Sequence, residues 1–434
     1  MKKLILTALF FGIMIPAQKV WTLQDYLDYA VQNNITVKKA SLNTQTAEVN
    51  LAQQKYNKLP SVSGSVSGGV TNGSSIDPIT SDFVNKTILS NSYGVSGNVV
   101  LYQGNKLNLQ IEKNKMLVSQ SQLYQKQAEN NIVLNVLEAY LQALYYYEGI
   151  KIAEYTASSS AQELKMAQTK YKNGAIARLD LADVETQNAQ NQYSIVSNQN
   201  LYNQQVLKLK QLLEISPTVD FQIEKVTLSD VMNSIPDKQQ VFAEAREQLP
   251  DLKIYDAQNE ILNKELEISK AGYKPSLSLN AGLNTGYSNS MEYAYLKQLK
   301  SNFNKSMSVS LNIPIFSRKQ NITDIKLAKI NIEQNDLDKL STEKTLYSSI
   351  ETAWQNAVAN QAQQDAAKVA RDNAKLAYEL ATKKYEFGGL TNTELAVSRN
   401  TYLTSEQSYI QAKYMAVLYH QLLNFYQGKT LTVN

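Results

Sequence analysis

A chain of 434 residues has ample material for two or three ordinary domains or one elongated one, and it contains no cysteine and a single histidine, His420. That composition removes disulfides, thiolate chemistry, lipid attachment at an N-terminal cysteine and most imidazole-based metal sites and catalytic triads. Lys and Arg number 43 against 39 Asp and Glu, a formal charge of +4 with no basic block, so nucleic acid is not an expected partner.

Met1-Lys2-Lys3, the apolar run Leu4–Ile15 and the small residue Ala17 predict a secretory signal peptide over residues 1–17. The run is short for a bilayer span, and no later segment reaches 18 consecutive apolar residues. Any membrane crossing by the remaining chain therefore has to be a barrel.

From residue 18 the chain repeats itself. Tyr171-Lys172-Asn173-Gly174 matches Tyr385-Glu386-Phe387-Gly388 at an offset of 214, where Ala139, Ala143, Ala153 and Leu209 also meet Ala353, Ala357, Ala367 and Leu423. The expected organisation is one unit over 18–214, a connecting segment over 215–240, a second unit over 241–427, and a tail over 428–434. Each unit opens with a helical stretch, about 35–58 and about 241–272, that stops before Pro60 or Pro275. Strands with a period of two are then expected at about 61–70 and 93–102, and at about 276–287 and 306–316, apolar on one face and Ser/Asn on the other. The polar connectors at about 71–92 and 288–305 are too long for tight hairpins and suit solvent-facing loops.

The second half of each unit predicts one very long helix, about 106–172 and about 319–386, each ~100 Å at 1.5 Å per residue. Ile132, Val136, Ala139, Ala143, Tyr146, Ile150, Ala153, Ala157, Ser160, Leu164, Ala167 and Tyr171 step by four and three, a heptad seam. On the other helix Ala367, Ala370, Ala374, Ala377 and Ala381 run beside a second stripe through Ala359, Ala362, Ala366 and Val369, which implies neighbours on two sides. Gly174 and Gly388 suit the left-handed position that ends each helix, and antiparallel partners are expected over about 179–214 and 392–427.

Four strands cannot close a membrane barrel, so if these cross a membrane, several chains share one barrel; two copies give eight strands and three give twelve. Val62, Val66, Leu277, Leu279, Leu283, Val309, Leu311 and Ile313 would then face lipid, with Ser and Asn lining a wet lumen. The other reading is a soluble sheet in a periplasmic coiled-coil scaffold. No phosphate loop, nucleophile elbow or zinc-protease motif occurs, so no catalytic, cofactor-binding or metal residues are expected.

The order of elements, the paired Tyr-x-x-Gly turns, Trp21-Thr22-Leu23-Gln24-Asp25-Tyr26-Leu27, and Lys274-Pro275-Ser276-Leu277 resemble the TolC-like outer-membrane efflux proteins over essentially all of the chain beyond residue 17. That resemblance implies an α+β membrane protein of a Gram-negative outer membrane, in which the duplicated unit contributes four β-strands per chain to a shared trimeric 12-stranded β-barrel. A long antiparallel α-helical coiled-coil tunnel in the periplasm continues it. It further implies a homotrimer surrounded by outer-membrane lipid, passively conducting cargo for a tripartite efflux or type I secretion system. An inner-membrane pump would deliver the cargo through a periplasmic adaptor.

The resemblance places Gly174, Gly388, Tyr171 and Tyr385 at the periplasmic tips where the adaptor docks, and Asp180 and Glu394 in a narrow acidic constriction that would favour cations. Leu390 stands where the family's prototype has an arginine in its locking network, and Val397 replaces a further acidic residue, leaving Arg178 and Asp183 as candidates for a different ionic lock. Read on its own, Asp180 is a helix N-terminal carboxylate, and the two roles can coexist. Tyr171 and Tyr385 read as seam packing, and His420 as a satisfied interface histidine.

Overall fold

The computed structural model describes residues 21–76, 81–85, 87–219, 221–224, 226, 228–231 and 234–432. The expected signal peptide lies outside the described residues. The chain forms two compact units, one of residues 1–38, 129–248 and 347–434, the other of residues 39–128 and 249–346.

In chain order, α1 (Leu23–Asn33) and α2 (Ile35–Tyr56) lead into β1 (Ser61–Thr71). The short β2 (Ser74–Ile76) and β3 (Phe83–Asn85) pair with each other, and β4 (Ile88–Gln103) precedes α3 (Lys106–Lys172) and α4 (Arg178–Leu212). The second half repeats the order with α5 (Lys238–Gln248), α6 (Pro250–Ala271), β5 (Ser276–Ser288), α7 (Tyr295–Ser301), β6 (Asn304–Asn312), α8 (Gln320–Glu386) and α9 (Asn392–Tyr426). Among the described residues no helix is long and apolar enough to cross a membrane.

The duplication is visible in the backbone itself. Left-handed residues recur at the same offset of 214: Gly104 and Asn105 with Arg318 and Lys319, Gly174 with Gly388, and Glu214 with Gly428. The consecutive left-handed pair Arg318-Lys319 explains why α8 starts at Gln320, one residue later than expected. The helical stretch expected over 241–272 is broken between α5 and α6, because Pro250 opens a new helix at its first position. Strand β4 starts at Ile88 rather than 93, drawing part of the expected loop into the sheet, while β6 ends at Asn312, so Ile313 lies beyond the strand. The expected loop at 288–305 contains α7, and the one at 71–92 contains the β2–β3 pair.

The four long strands form an antiparallel sheet in the order β1-β4-β5-β6, with a bulge in β4 between Val100 and Tyr102. Register puts Val66 beside Tyr93 and Thr285, Val95 beside Leu283, Val99 beside Leu279 and Val309, and Tyr102 beside Leu277 and Leu311. These side chains share one face. The opposite face carries Ser63, Ser96, Gly282 and Ser306 in one row and Asn98, Asn280 and Ser308 in the next. Ser63 and Ser96 hydroxyls lie 3.0 Å apart, and Asn98 donates to Asn280 at 2.6 Å. A period-two pattern of Val/Leu against Ser/Asn thus yields two chemically distinct faces.

In the other unit, Tyr26, Val136, Ala139, Tyr140, Ala143, Leu209 and Leu213 are buried in one core. Residues of the connecting segment pack onto it: Ile223 and Leu228 are buried, and Trp21 bridges to Ile223. Asp230 fastens that segment, accepting from Lys368 and from the Tyr409 hydroxyl, each at 2.6 Å. Burial raises its pKa, but these two bonds and the charge of Lys413 outweigh that and hold the carboxyl below its ordinary value.

The heptad seam on α3 is buried from Ile132 to Ala167, with Tyr146 and Leu164 half-buried, and opens only at Tyr171, which is 42% exposed. On α8 the outcome differs from the alanine stripe. Ala370 and Ala377 are exposed, and the buried line runs through Ile350, Ala353, Ala357, Gln364, Ala374, Tyr378 and Tyr385. Gln364 and Tyr378 hold heptad positions because their polar ends find partners, the backbone of Val231 for one and Glu163 for the other. The stripe Ala359, Ala362, Ala366 and Val369 is exposed in the single chain.

Candidate functional site at the helical turns

Both turns joining long helices are closed in the same way. Gly174 (φ 73°) donates to Tyr171 O at 2.9 Å and Ala175 to Lys170 O at 2.8 Å; Gly388 (φ 77°) donates to Tyr385 O at 3.1 Å and Gly389 to Lys384 O at 2.9 Å. These paired bonds satisfy the last helical carbonyls and require a residue free to be left-handed.

Three residues into the next helix, each turn places a carboxylate over the free amides. Asp180 accepts from Ala177 N at 3.1 Å. Glu394 accepts from Thr391 N at 2.8 Å and from the Thr391 hydroxyl at 2.7 Å, while Thr391 Oγ1 accepts from Glu394 N at 3.3 Å, a complete capping box. The Thr391 bonds hold the Glu394 carboxyl below its ordinary pKa, so it is a fixed negative charge at neutral pH. Arg178 is engaged along its own helix, 3.0 Å from Glu185.

The two turns meet through Lys170 and Tyr385. Lys170 Nζ sits 3.9 Å from the centre of the Tyr385 ring and donates to Tyr385 O at 3.4 Å. The repeated tyrosines are therefore unequal, Tyr385 being 5% exposed and Tyr171 42%. Burial raises the Tyr385 hydroxyl pKa, with smaller contributions from Glu163 and Asp180. Leu390 packs against the apolar cluster of Ala374, Tyr378, Tyr385, Leu395 and Tyr402.

One constellation was not foreseen. Glu163 on α3 and Arg399 on α9 form an ion pair whose side chains are 8% and 4% exposed, and the Tyr378 hydroxyl donates to Glu163 Oε1 at 3.1 Å. Burial, reinforced by Glu163, pushes the Tyr378 hydroxyl up to about 12. Tyr378 stacks on Tyr402 with centroids 6.0 Å apart. The clue was available: Leu395, Arg399, Tyr402, Glu406 and Tyr409 step by four and three, which puts a charge at heptad positions of α9. A cavity of about 260 Å³ adjoins the pair, lined also by Asp183, Gln187, Asn392 and Thr393. This arrangement joins the first hairpin to the second through buried charge, and Asp183 lines the same cavity.

His420 is half-buried, its Nδ1 3.4 Å from Asn424 Nδ2, and burial together with Lys429 lowers its pKa. Among the described residues no group of three or more His, Cys, Asp or Glu is placed to hold a metal.

The family described as outer membrane efflux protein matches residues 26–214 and 241–424. The chain belongs to that family. These proteins are channels of the outer membrane. Solved structures of similar fold include the CmeC outer membrane channel of Campylobacter jejuni, at 17% identity and a TM-score of 0.79 over 95% of this chain and 87% of that one. CusC gives 17% identity and a TM-score of 0.78 over 96% of each chain. VceC of Vibrio cholerae gives 14% and 0.77 over 94% of this chain and 96% of that one. No curated protein matches the chain.

Proposed function

We propose that this outer membrane efflux protein works as a homotrimeric exit duct, passively conducting cargo that an inner-membrane pump delivers through a periplasmic adaptor. The observation that carries this reading is the sheet: four strands with one mainly apolar face, one Ser/Asn face, and two edges, β1 and β6, that pair with no further strand among the described residues. Open edges are not tolerated in lipid. All neighbouring strands are antiparallel, so β6 of one copy can meet β1 of the next without breaking the alternation, and three copies give twelve strands. The apolar face then meets outer-membrane lipid and the Ser/Asn face lines water. The exposed small-residue stripe on α8 supplies a matching contact between helices of neighbouring copies.

Asp180 and Glu394 are proposed as the charged ring of the constriction, with Gly174, Gly388, Tyr171 and Tyr385 in the turns that receive the adaptor. Capping and ion selection are compatible for Glu394, because the Thr391 bonds that cap the helix also hold its carboxyl below the ordinary pKa. The test is single-channel conductance of the detergent-extracted oligomer in a planar bilayer, wild type beside Asp180→Asn/Glu394→Gln. Both replacements keep an acceptor for the capping bond while removing the charge. Cation preference is expected to fall in the double variant. Unchanged selectivity would remove these carboxylates from the constriction, and an absence of steps after verified insertion would favour a coiled-coil scaffold.

A further inference from the structure

The segment joining β5 to β6 folds back onto the apolar face of the sheet. Tyr93 lies in register with Val66 and Thr285, and Tyr287 is two residues beyond Thr285, so all belong to that face. Tyr295 of α7 packs there: its hydroxyl is 2.6 Å from that of Tyr93, and its ring centre is 4.9 Å from that of Tyr287. The Thr285 hydroxyl donates to Leu299 O at 2.6 Å. Gln298, fully buried, locks the segment by accepting from Ser288 N at 2.9 Å and donating to Tyr293 O at 2.7 Å and Ser288 O at 3.0 Å.

What this fixed segment shows outward is amphipathic in a specific way. Leu296 is 78% exposed, and Tyr293 and Phe303 about half. Lys297 and Lys300 are exposed on α7, and Lys305 is exposed at the register position of the apolar face opposite Leu283. Lys297 Nζ stands 4.2 Å from the centre of the Tyr293 ring, and Lys305 Nζ 5.6 Å from that of Phe303. Residues 288–305 hold these three lysines against a single acid, Glu292. Toward the other end of the same face, Met307, Val309 and Leu311 are apolar and exposed. Along β6, Lys305 therefore marks where apolar side chains on this face give way to charge.

We propose that α7 is an interfacial lipid anchor: Leu296 enters the boundary between headgroups and acyl chains, and Lys297, Lys300 and Lys305 bind the headgroup phosphates of the outer leaflet. The proposal rests on the reading of the apolar face as lipid-facing. Aromatic rings with wet ends, beside lysines whose stems cross apolar surface, match the chemistry of that layer. The anchor would fix the height of the strands in the bilayer, which the strands set only loosely by themselves.

The absence of native cysteine makes the test direct. The full chain, reconstituted as its oligomer in vesicles of phosphatidylcholine with or without phosphatidylglycerol, carries one fluorescent label at Leu296→Cys or at Val309→Cys. Lipids spin-labelled at the headgroup or in the acyl chain, and aqueous iodide, serve as quenchers. The label at 296 is expected to be quenched by the headgroup spin label and shielded from iodide, more so with phosphatidylglycerol and less so at high salt. Lys297→Gln/Lys300→Gln/Lys305→Gln should lower the docked-to-undocked ratio by on the order of fivefold per lysine and remove the dependence on lipid charge. If iodide reaches 296 equally in both lipids while the acyl-chain label still quenches 309, the anchor is wrong and the lipid-facing sheet stands. If 309 is not quenched from the acyl chains, both readings fail. A label at 296 shielded from iodide and from lipid quenchers would mean that protein covers α7, and would also reject the anchor.

Discussion

Glu163 and Arg399 are charged side chains sealed inside a helical seam, and their value depends on each having the other. Removing two charges from water costs several kcal/mol per ion, recovered only through close pairing and additional hydrogen bonds such as that from Tyr378. Glu163→Gln strands the buried guanidinium and should cost about 3–5 kcal/mol, whereas Glu163→Leu/Arg399→Met, which removes both charges, should recover most of it. Urea denaturation followed by helical circular dichroism checks the pair of variants; equal destabilisation by both would show that packing volume, not charge, is what the site supplies. At this scale the sequence was legible in part. Gly174 and Gly388 announced themselves by repetition, and the N-terminal role of Asp180 followed from its distance beyond the glycine. The partner of Arg399 was not legible, because Glu163 lies 236 residues away and next to, rather than on, the seam that the heptad rhythm marks.

Among the elements, the long helices and their turns were clear from the chain because their determinants are local: a heptad rhythm, few breakers, and glycine after the last turn. Gly174 tests that directly. A Cβ there would touch nothing within 4 Å, so any cost of substitution comes from the left-handed backbone alone. Gly174→Val should weaken the turn by about 1–2 kcal/mol, Gly174→Asn by much less. Hydrogen exchange at the amides of residues 174 and 175, which donate to Tyr171 O and Lys170 O, should quicken on the order of tenfold in the valine variant; unaltered protection would show that the turn does not need the left-handed residue. Helix α7 was missed because the sequence from 288 to 305 is rich in Asn and Ser, and what folds it is tertiary: Gln298 bonded to the backbone of Ser288 and Tyr293, and Tyr295 packed on Tyr93 and Tyr287.

For the whole molecule, the described residues leave exposed what a soluble protein buries: the apolar strand face, two sheet edges, and the α8 stripe of Ala359, Ala362, Ala366 and Val369. Ala366→Arg introduces a good helix former at an exposed position, so the isolated fold should survive. Light scattering of the detergent-extracted protein should show loss of the proposed trimer; a trimer that persists would mean that this stripe is not buried between copies. The sequence by itself determined the duplication, the alternation of the strands, the long helices and the family resemblance, because each rests on spacing along the chain or on a local backbone requirement. The tertiary structure decided that α7 lies on the apolar face, that Tyr385 is buried while its repeat counterpart Tyr171 is not, and that Glu163 meets Arg399. Those outcomes depend on which distant surfaces meet, and two copies of one pattern diverge as soon as each packs against a different neighbour.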